Sequence, residues 1–174
     1  MRKGQLMAQP LIYIFALIVG ALILIWGAKS VYDIMERTDA VNTAKQIDAI
    51  KHDVKIYAQY DKGNTKTIVA SKFPSKIEMF CFYDAKSSLN PMLDGRKKSL
   101  TGLGYEGAVK SYFEHEPDKN FLILPEGAVK QARTSYYIGP VRLKPEGGNP
   151  LCFKTKKKFR ITAMGGYVTV DAVS

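Results

Sequence analysis

The sequence is poor in the residues that carry out chemistry, with two cysteines and two histidines among its 174 positions. Two cysteines cannot complete a four-ligand zinc site, and neither His52 nor His115 has a partner at ligand spacing. No serine, cysteine or lysine stands in a legible pattern with a base, so the sequence offers no catalytic residue, no metal ligand and no cofactor site, and the chain reads as a non-enzyme. Charge is absent from residues 10–28, PLIYIFALIVGALILIWGA, and no second apolar run could surround that stretch in a soluble core. Proline and glycine are both absent from residues 29–60, so nothing there breaks a helix.

What is present begins with the apolar run. As a helix rising ~1.5 Å per residue it spans roughly 28 Å, close to the ~30 Å hydrocarbon thickness of a bilayer. A cleavable secretory signal has an apolar region of only about 7 to 15 residues ending at small side chains. Here the run is longer, ends Ile25-Trp26-Gly27-Ala28-Lys29, and continues in helical pattern. Tyr13 and Trp26 sit near its two ends, where amphipathic rings favour the membrane interface, and Arg2 and Lys3 precede it with no nearby acid. These features predict a single-pass membrane protein with its N-terminus inside and the bulk of the chain extracytoplasmic.

The remaining 146 or so residues suffice for one domain with a real core. Setting Arg2 and Lys3 aside leaves about +8 of the formal net charge of +10, a surface suited to anionic partners such as acidic polymers, lipid headgroups or DNA. An extracytoplasmic address favours oxidation of Cys81 and Cys152, each inside a strand-like run, and predicts a disulfide between them; two separate buried thiols are the alternative. Closing so long a loop is worth roughly 4 kcal/mol in the chain-entropy model.

The first nine residues, MRKGQLMAQ, are too short to fold and read as an address. A basic pair, then Gly4 and Gln5, immediately before a long apolar helix, resembles the leader of type IV pilin-like proteins, particularly archaeal ones. That resemblance implies cutting by a membrane peptidase between Gly4 and Gln5 and assembly with like or unlike subunits through the membrane-proximal helix. It also exposes a departure: at the fifth mature position, where many pilins carry a glutamate, this chain has Gln9.

Ile47, Ile50, Val54, Tyr57 and Ala58 recur at helical spacing and predict a face packed on a globular core. Val31, Ile34, Thr38 and Val41 form a narrower stripe pointing roughly the other way, so either the helix bends near Asn42 and Thr43 or its lower half faces a different partner. Asp61-Lys62-Gly63-Asn64 supplies a stop and turn. Strands are predicted over residues 65–73 and 76–83; the second is apolar on both sides, with Ile77, Met79, Cys81 and Tyr83 opposite Phe80 and Phe82, as in a central strand covered on two faces. A short helix around Ala108 to Phe113, a buried strand over residues 121–124 ended by Pro125, and two strand-like pieces flanking Gly139-Pro140 follow.

Gly165-Gly166 marks a two-residue hairpin. Pairing Met164 with Tyr167 sets Phe159 opposite Ala172, Ile161 opposite Val170 and Ala163 opposite Val168 on one side, and Arg160 opposite Asp171 on the other. A slip of one residue spoils both sets, so the register is well specified.

Three further features have bland readings. Residues 84–104 are polar and predict a long surface loop; the letters GxGxxG at Gly102 to Gly107 lack the hydrophobic strand that a dinucleotide site requires. Glu114, His115 and Glu116 read as a solvated helix end. Lys154, Lys156, Lys157, Lys158 and Arg160 form a basic cluster suited either to an anionic ligand or to guarding an edge strand; without a row of exposed aromatics, nucleic acid is not indicated.

The expected plan is therefore α+β. A leader (1–9) and a transmembrane helix (10–28) continue into an amphipathic helix extension (29–60) packed on an antiparallel sheet in a β-rich domain (61–174), an arrangement similar to the pilin-like one. The expected role is a non-enzymatic cell-surface structural or adhesion protein, with a monomeric binding module for an anionic ligand as the alternative.

Overall fold

The computed structural model describes residues 8–70, 73–84, 92–93, 104–144 and 148–173. The chain divides into Met1–Thr38 and Asp39–Ser174, and helix α1, Ala8–Ala58, contributes to both. Gly4 and Gln5 lie outside the described residues, and Gln9 falls in the first turn of α1.

Within Met1–Thr38 the apolar side chains of α1 are exposed, Leu24 to 74% and Trp26 to 78%. Among the described residues this is the one helix long and apolar enough to cross a membrane, and none of its apolar window is buried. Val31 and Ile34 of the second stripe are exposed as well, and the Thr38 hydroxyl donates back to the Ile34 carbonyl at 2.9 Å.

Within Asp39–Ser174 the remainder of α1 behaves differently. Ile47, Ile50, Val54 and Ala58 are buried, as their spacing predicts, and Thr43 and Gln46 extend the buried stripe by one turn with polar side chains. Thr43 satisfies its hydroxyl on the Asp39 carbonyl at 2.8 Å, which is how a polar group enters an apolar face at little cost. Ion pairs from Lys76 to Asp39 (3.0 Å) and from Lys66 to Asp53 (2.7 Å) flank the packed face.

The strands are β1 (Thr65–Val69), β2 (Met79–Phe82), β3 (Met92–Leu93), β4 (Phe121–Leu124), β5 (Ser135–Tyr136), β6 (Val141–Arg142), β7 (Leu151–Lys154), β8 (Lys158–Ala163) and β9 (Val168–Ala172), with helix α2 at Glu106–His115. The α+β class and the helix-on-sheet plan hold, but the strands form two sheets where one was expected. A four-stranded sheet runs β1-β8-β9-β6 and a five-stranded sheet runs β3-β7-β2-β4-β5. All pairings are antiparallel except β6 with β9 and β3 with β7, where two-residue strands attach in parallel. Strand β3 lies inside the stretch expected to be loop, and it is too short to show any periodicity.

The β8–β9 hairpin has the predicted register at every pair from Phe159 and Ala172 to Ala163 and Val168. Its turn also closes the helix: the Gly166 amide donates to the Ala58 carbonyl at 2.8 Å, satisfying one of the acceptors a helix C-terminus leaves open.

Strand β2 is central, between β7 and β4, and buried on both faces. On one face Phe80 and Phe82 join Phe121, Phe153 and Phe159 and the buried side of α1 in the main core. On the other, Met79, Cys81 and Tyr83 meet Leu122, Leu124 and Val109 under α2. Ile77 belongs to the main core because it precedes the strand, so the expected alternation begins only at Met79.

Candidate functional site

Cys81 and Cys152 face each other across β2 and β7 and are joined by a disulfide, with Cα atoms 4.0 Å apart. Both are fully buried beneath α2, so the bond staples the middle of the five-stranded sheet. Loop-closure entropy over a sequence separation of 71 gives it a worth of about 4 kcal/mol.

The basic cluster falls at the turn joining β7 of one sheet to β8 of the other. Lys154, Lys156, Lys157, Lys158 and Arg160 are all exposed. Lys156 holds a positive φ of 76°, and the turn is tied to the residue just before β2 and to the residue just after β1: Thr155 N–H donates to the Glu78 carbonyl at 3.0 Å and Lys156 N–H to the Ala70 carbonyl at 3.3 Å. Neither β7 nor β8 is an edge, so the edge-guarding reading of the cluster is corrected. Arg160 lies opposite Asp171 as expected, but the ammonium bound to the Asp171 carboxylate is that of Lys144, at 2.9 Å.

Glu116 also departs from the solvated helix end. Its carboxylate accepts from the Ser135 hydroxyl and its carbonyl from the Tyr83 phenol at 3.1 Å, whereas Glu114 and His115 are exposed. Burial, reinforced by the negative charges of Glu116 and Asp118, holds the Tyr83 phenol far above its ordinary pKa, so it remains a proton donor. Of the GxGxxG letters, Gly102 and Leu103 lie outside the described residues, and α2 begins at Glu106.

A cleft of about 680 Å³, which the sequence reading missed, opens where the chain passes from the five-stranded to the four-stranded sheet between β5 and β6. Two buried asparagines fix its walls. Asn120 donates to the Gly139 carbonyl at 2.6 Å and accepts from Ile138 N–H at 3.0 Å, while Asn149 donates to the Asp84 carbonyl at 2.7 Å and accepts from Asp84 N–H at 2.9 Å. Gly139, at φ +124°, lies so close to α1 that a Cβ there would meet Val54 Cγ1 at 2.8 Å. Charged side chains reach the cleft as pairs: Lys119 binds Asp118 at 2.9 Å, which lowers the Asp118 pKa, and the Arg142 guanidinium lies 4.7 Å from the centre of the Tyr167 ring. Gly139-Pro140 between two strand-like pieces was the available signal, but a chain break on paper does not reveal what gathers around it.

Comparison with protein-family models, with curated proteins and with solved structures found no match to the chain.

Proposed function

We propose that the protein is a non-enzymatic, membrane-anchored subunit of the cell surface, structural or adhesive in role and pilin-like in plan, with its N-terminus inside and the disulfide-bearing domain outside. The observation that carries this reading is the contrast along α1: residues 10–28 present apolar side chains with no burial, while the same helix from Thr43 onward forms one wall of the core. An apolar surface of that length is at home in lipid. The exposed side chains of Val31, Ile34 and Val41 give the membrane-proximal helix a face on which like or unlike subunits can pack. The buried disulfide suits an oxidising compartment.

Mass spectrometry of the membrane-extracted chain tests the reading. A start at Gln5 supports pilin-type processing at Gly4 and Gln5, with Gln9 entering the mature helix. An intact Met1 or Arg2 start removes the pilin-like part and leaves a plain anchor. A start beyond Ala28 marks a cleaved signal and removes the anchor itself.

The exposed corner of Lys154, Lys156, Lys157, Lys158 and Arg160 favours a second reading, a monomeric binding module for an anionic polymer or lipid headgroup. Retention of the full chain on a polyanion column then falls when Lys156, Lys157 and Lys158 become Ser, and unchanged retention disposes of it.

A further inference from the structure

We propose that the cleft between the two sheets is a binding site for a neutral carbohydrate. Its volume, about 680 Å³, lies within the ~300–1,000 Å³ of small-molecule sites, and every group used below lies within Asp39–Ser174, so the proposal stands whether or not the helix is anchored.

The charges decide against an anionic ligand. In a chain of net charge +10 this cleft is balanced, with Asp84 and Asp118 against Lys119 and Arg142. Both cations are already engaged, Lys119 on the Asp118 carboxylate at 2.9 Å and Arg142 over the Tyr167 ring at 4.7 Å. A phosphate or sulfate would compete with Asp118 for the Lys119 ammonium and would meet the carboxylates of Asp84 and Asp118 on arrival. Nucleotides fit no better, since their bases would suit the tyrosines but their phosphates would not suit the acids.

The groups that are offered match a polyhydroxylated ring. A sugar hydroxyl both donates and accepts, so it needs carboxylate oxygens and cationic N–H groups side by side, as Asp118 and Lys119 supply them. The Arg142 guanidinium, held over the Tyr167 ring, carries several N–H donors in one planar, pre-organised fork, and a contact with a ring face uses none of them up. A sugar also has a face of C–H groups, which an aromatic ring covers without demanding a hydrogen bond. Tyr137 is 53% exposed and lines the cleft, so its ring is available to such a face. The asparagine-fixed walls mean that little ordering entropy is spent on binding.

Saturation-transfer NMR and calorimetry on the full chain in detergent, with maltotriose, cellotriose, mannotriose and triacetylchitotriose as probes and a heparin oligosaccharide as the anionic control, test the proposal. The expected result is saturable binding of at least one neutral trisaccharide, weakened tenfold or more by Tyr137→Ala and unchanged when Lys156, Lys157 and Lys158 become Ser. Should Tyr137→Ala lower the unfolding midpoint, the decision passes to Asp118→Asn, whose side chain is largely exposed; a loss of threefold or more supports the site and a smaller one overturns it. Absence of binding by all four neutral probes overturns the proposal, as does binding indifferent to Tyr137→Ala in a folded variant. Heparin binding that depends on Tyr137 overturns the ligand class. None of these outcomes bears on where the N-terminus is cut, so the two readings fail separately.

Discussion

The two faces of strand β2 solve the same problem by different means. On one, Phe80 has ring centroids of Phe73, Phe82, Phe121, Phe153 and Phe159 within 5.5 to 6.0 Å, and α1 covers the cluster. On the other, Cys81, Met79 and Tyr83 lie under the ten-residue helix α2, with far less aromatic area and a covalent bond in its place. Hydrophobic burial scales with the apolar area removed from water, so the first face is held by bulk. The second has a thinner cover and relies on a cross-link that acts largely through the unfolded chain. Substitutions on the two faces should therefore differ in size and in their response to reductant.

The largest effect is expected from Phe80→Ala. It empties the centre of the ring cluster at a position with no exposure and should cost about 3–5 kcal/mol, measured by urea unfolding of the full chain in detergent. That cost should be the same with and without dithiothreitol. Replacing Cys81 and Cys152 together by Ala should cost about 4 kcal/mol under oxidising conditions and far less relative to the reduced wild type. If reductant leaves the wild type unmoved, the covalent account of the second face is wrong.

How much of this contrast was legible in the sequence depended on length and periodicity. Both faces of β2 could be read because alternating Phe80, Phe82 and Met79, Cys81 are apolar on each side, and the β8–β9 register followed from six consecutive residues with one consistent pairing. The division into two sheets was not legible: the strand-like pieces flanking Gly139-Pro140 became β5 and β6, but strands of two residues, like the unexpected β3, carry no period from which a partner could be read. Their pairing is decided by long-range packing. Thr43 and Gln46 were missed on the helix because a polar letter does not announce burial; for Thr43 the structure shows why it is tolerated, its hydroxyl being satisfied one turn back on Asp39. The cleft was least legible of all. Asp84, Asp118, Arg142 and Tyr167 are distant in sequence and polar, and only the crossing of the chain between sheets brings them together.

Gly139→Ala probes that crossing from the side of the main core. The new methyl would meet Val54, fully buried, at a backbone φ that L side chains seldom adopt. Strain and overpacking together suggest a loss of about 2 kcal/mol. Because the Gly139 carbonyl also receives the Asn120 amide, any backbone shift that relieves the contact should disturb the cleft, seen as chemical-shift changes at Tyr137 and Arg142. The substitution Gly63→Ala, also at positive φ but with nothing within 4 Å, carries the strain without the contact and should cost less.

The smallest effect lies on the disulfide face, and its distinguishing part appears in alkali. Burial and the nearby Glu116 and Asp118 raise the Tyr83 phenol above its ordinary pKa of 10.0, whereas in the unfolded chain it ionises near that value. Below about pH 10 both states hold the proton and the full stability is present. Above it the unfolded chain releases the proton while the folded chain keeps it, so stability falls as pH rises, by at most ~1.4 kcal/mol per pH unit for this one group and by less where water screens the phenol oxygen. Tyr83→Phe should cost about 1 kcal/mol at neutral pH, since the Glu116 carbonyl loses its donor, yet flatten the decline between pH 10 and 11. Equal slopes for the two proteins would mean that the phenol is better solvated than its burial beneath the sheet implies, and the thin face would then be wetter than the aromatic one in a way the packing alone does not show.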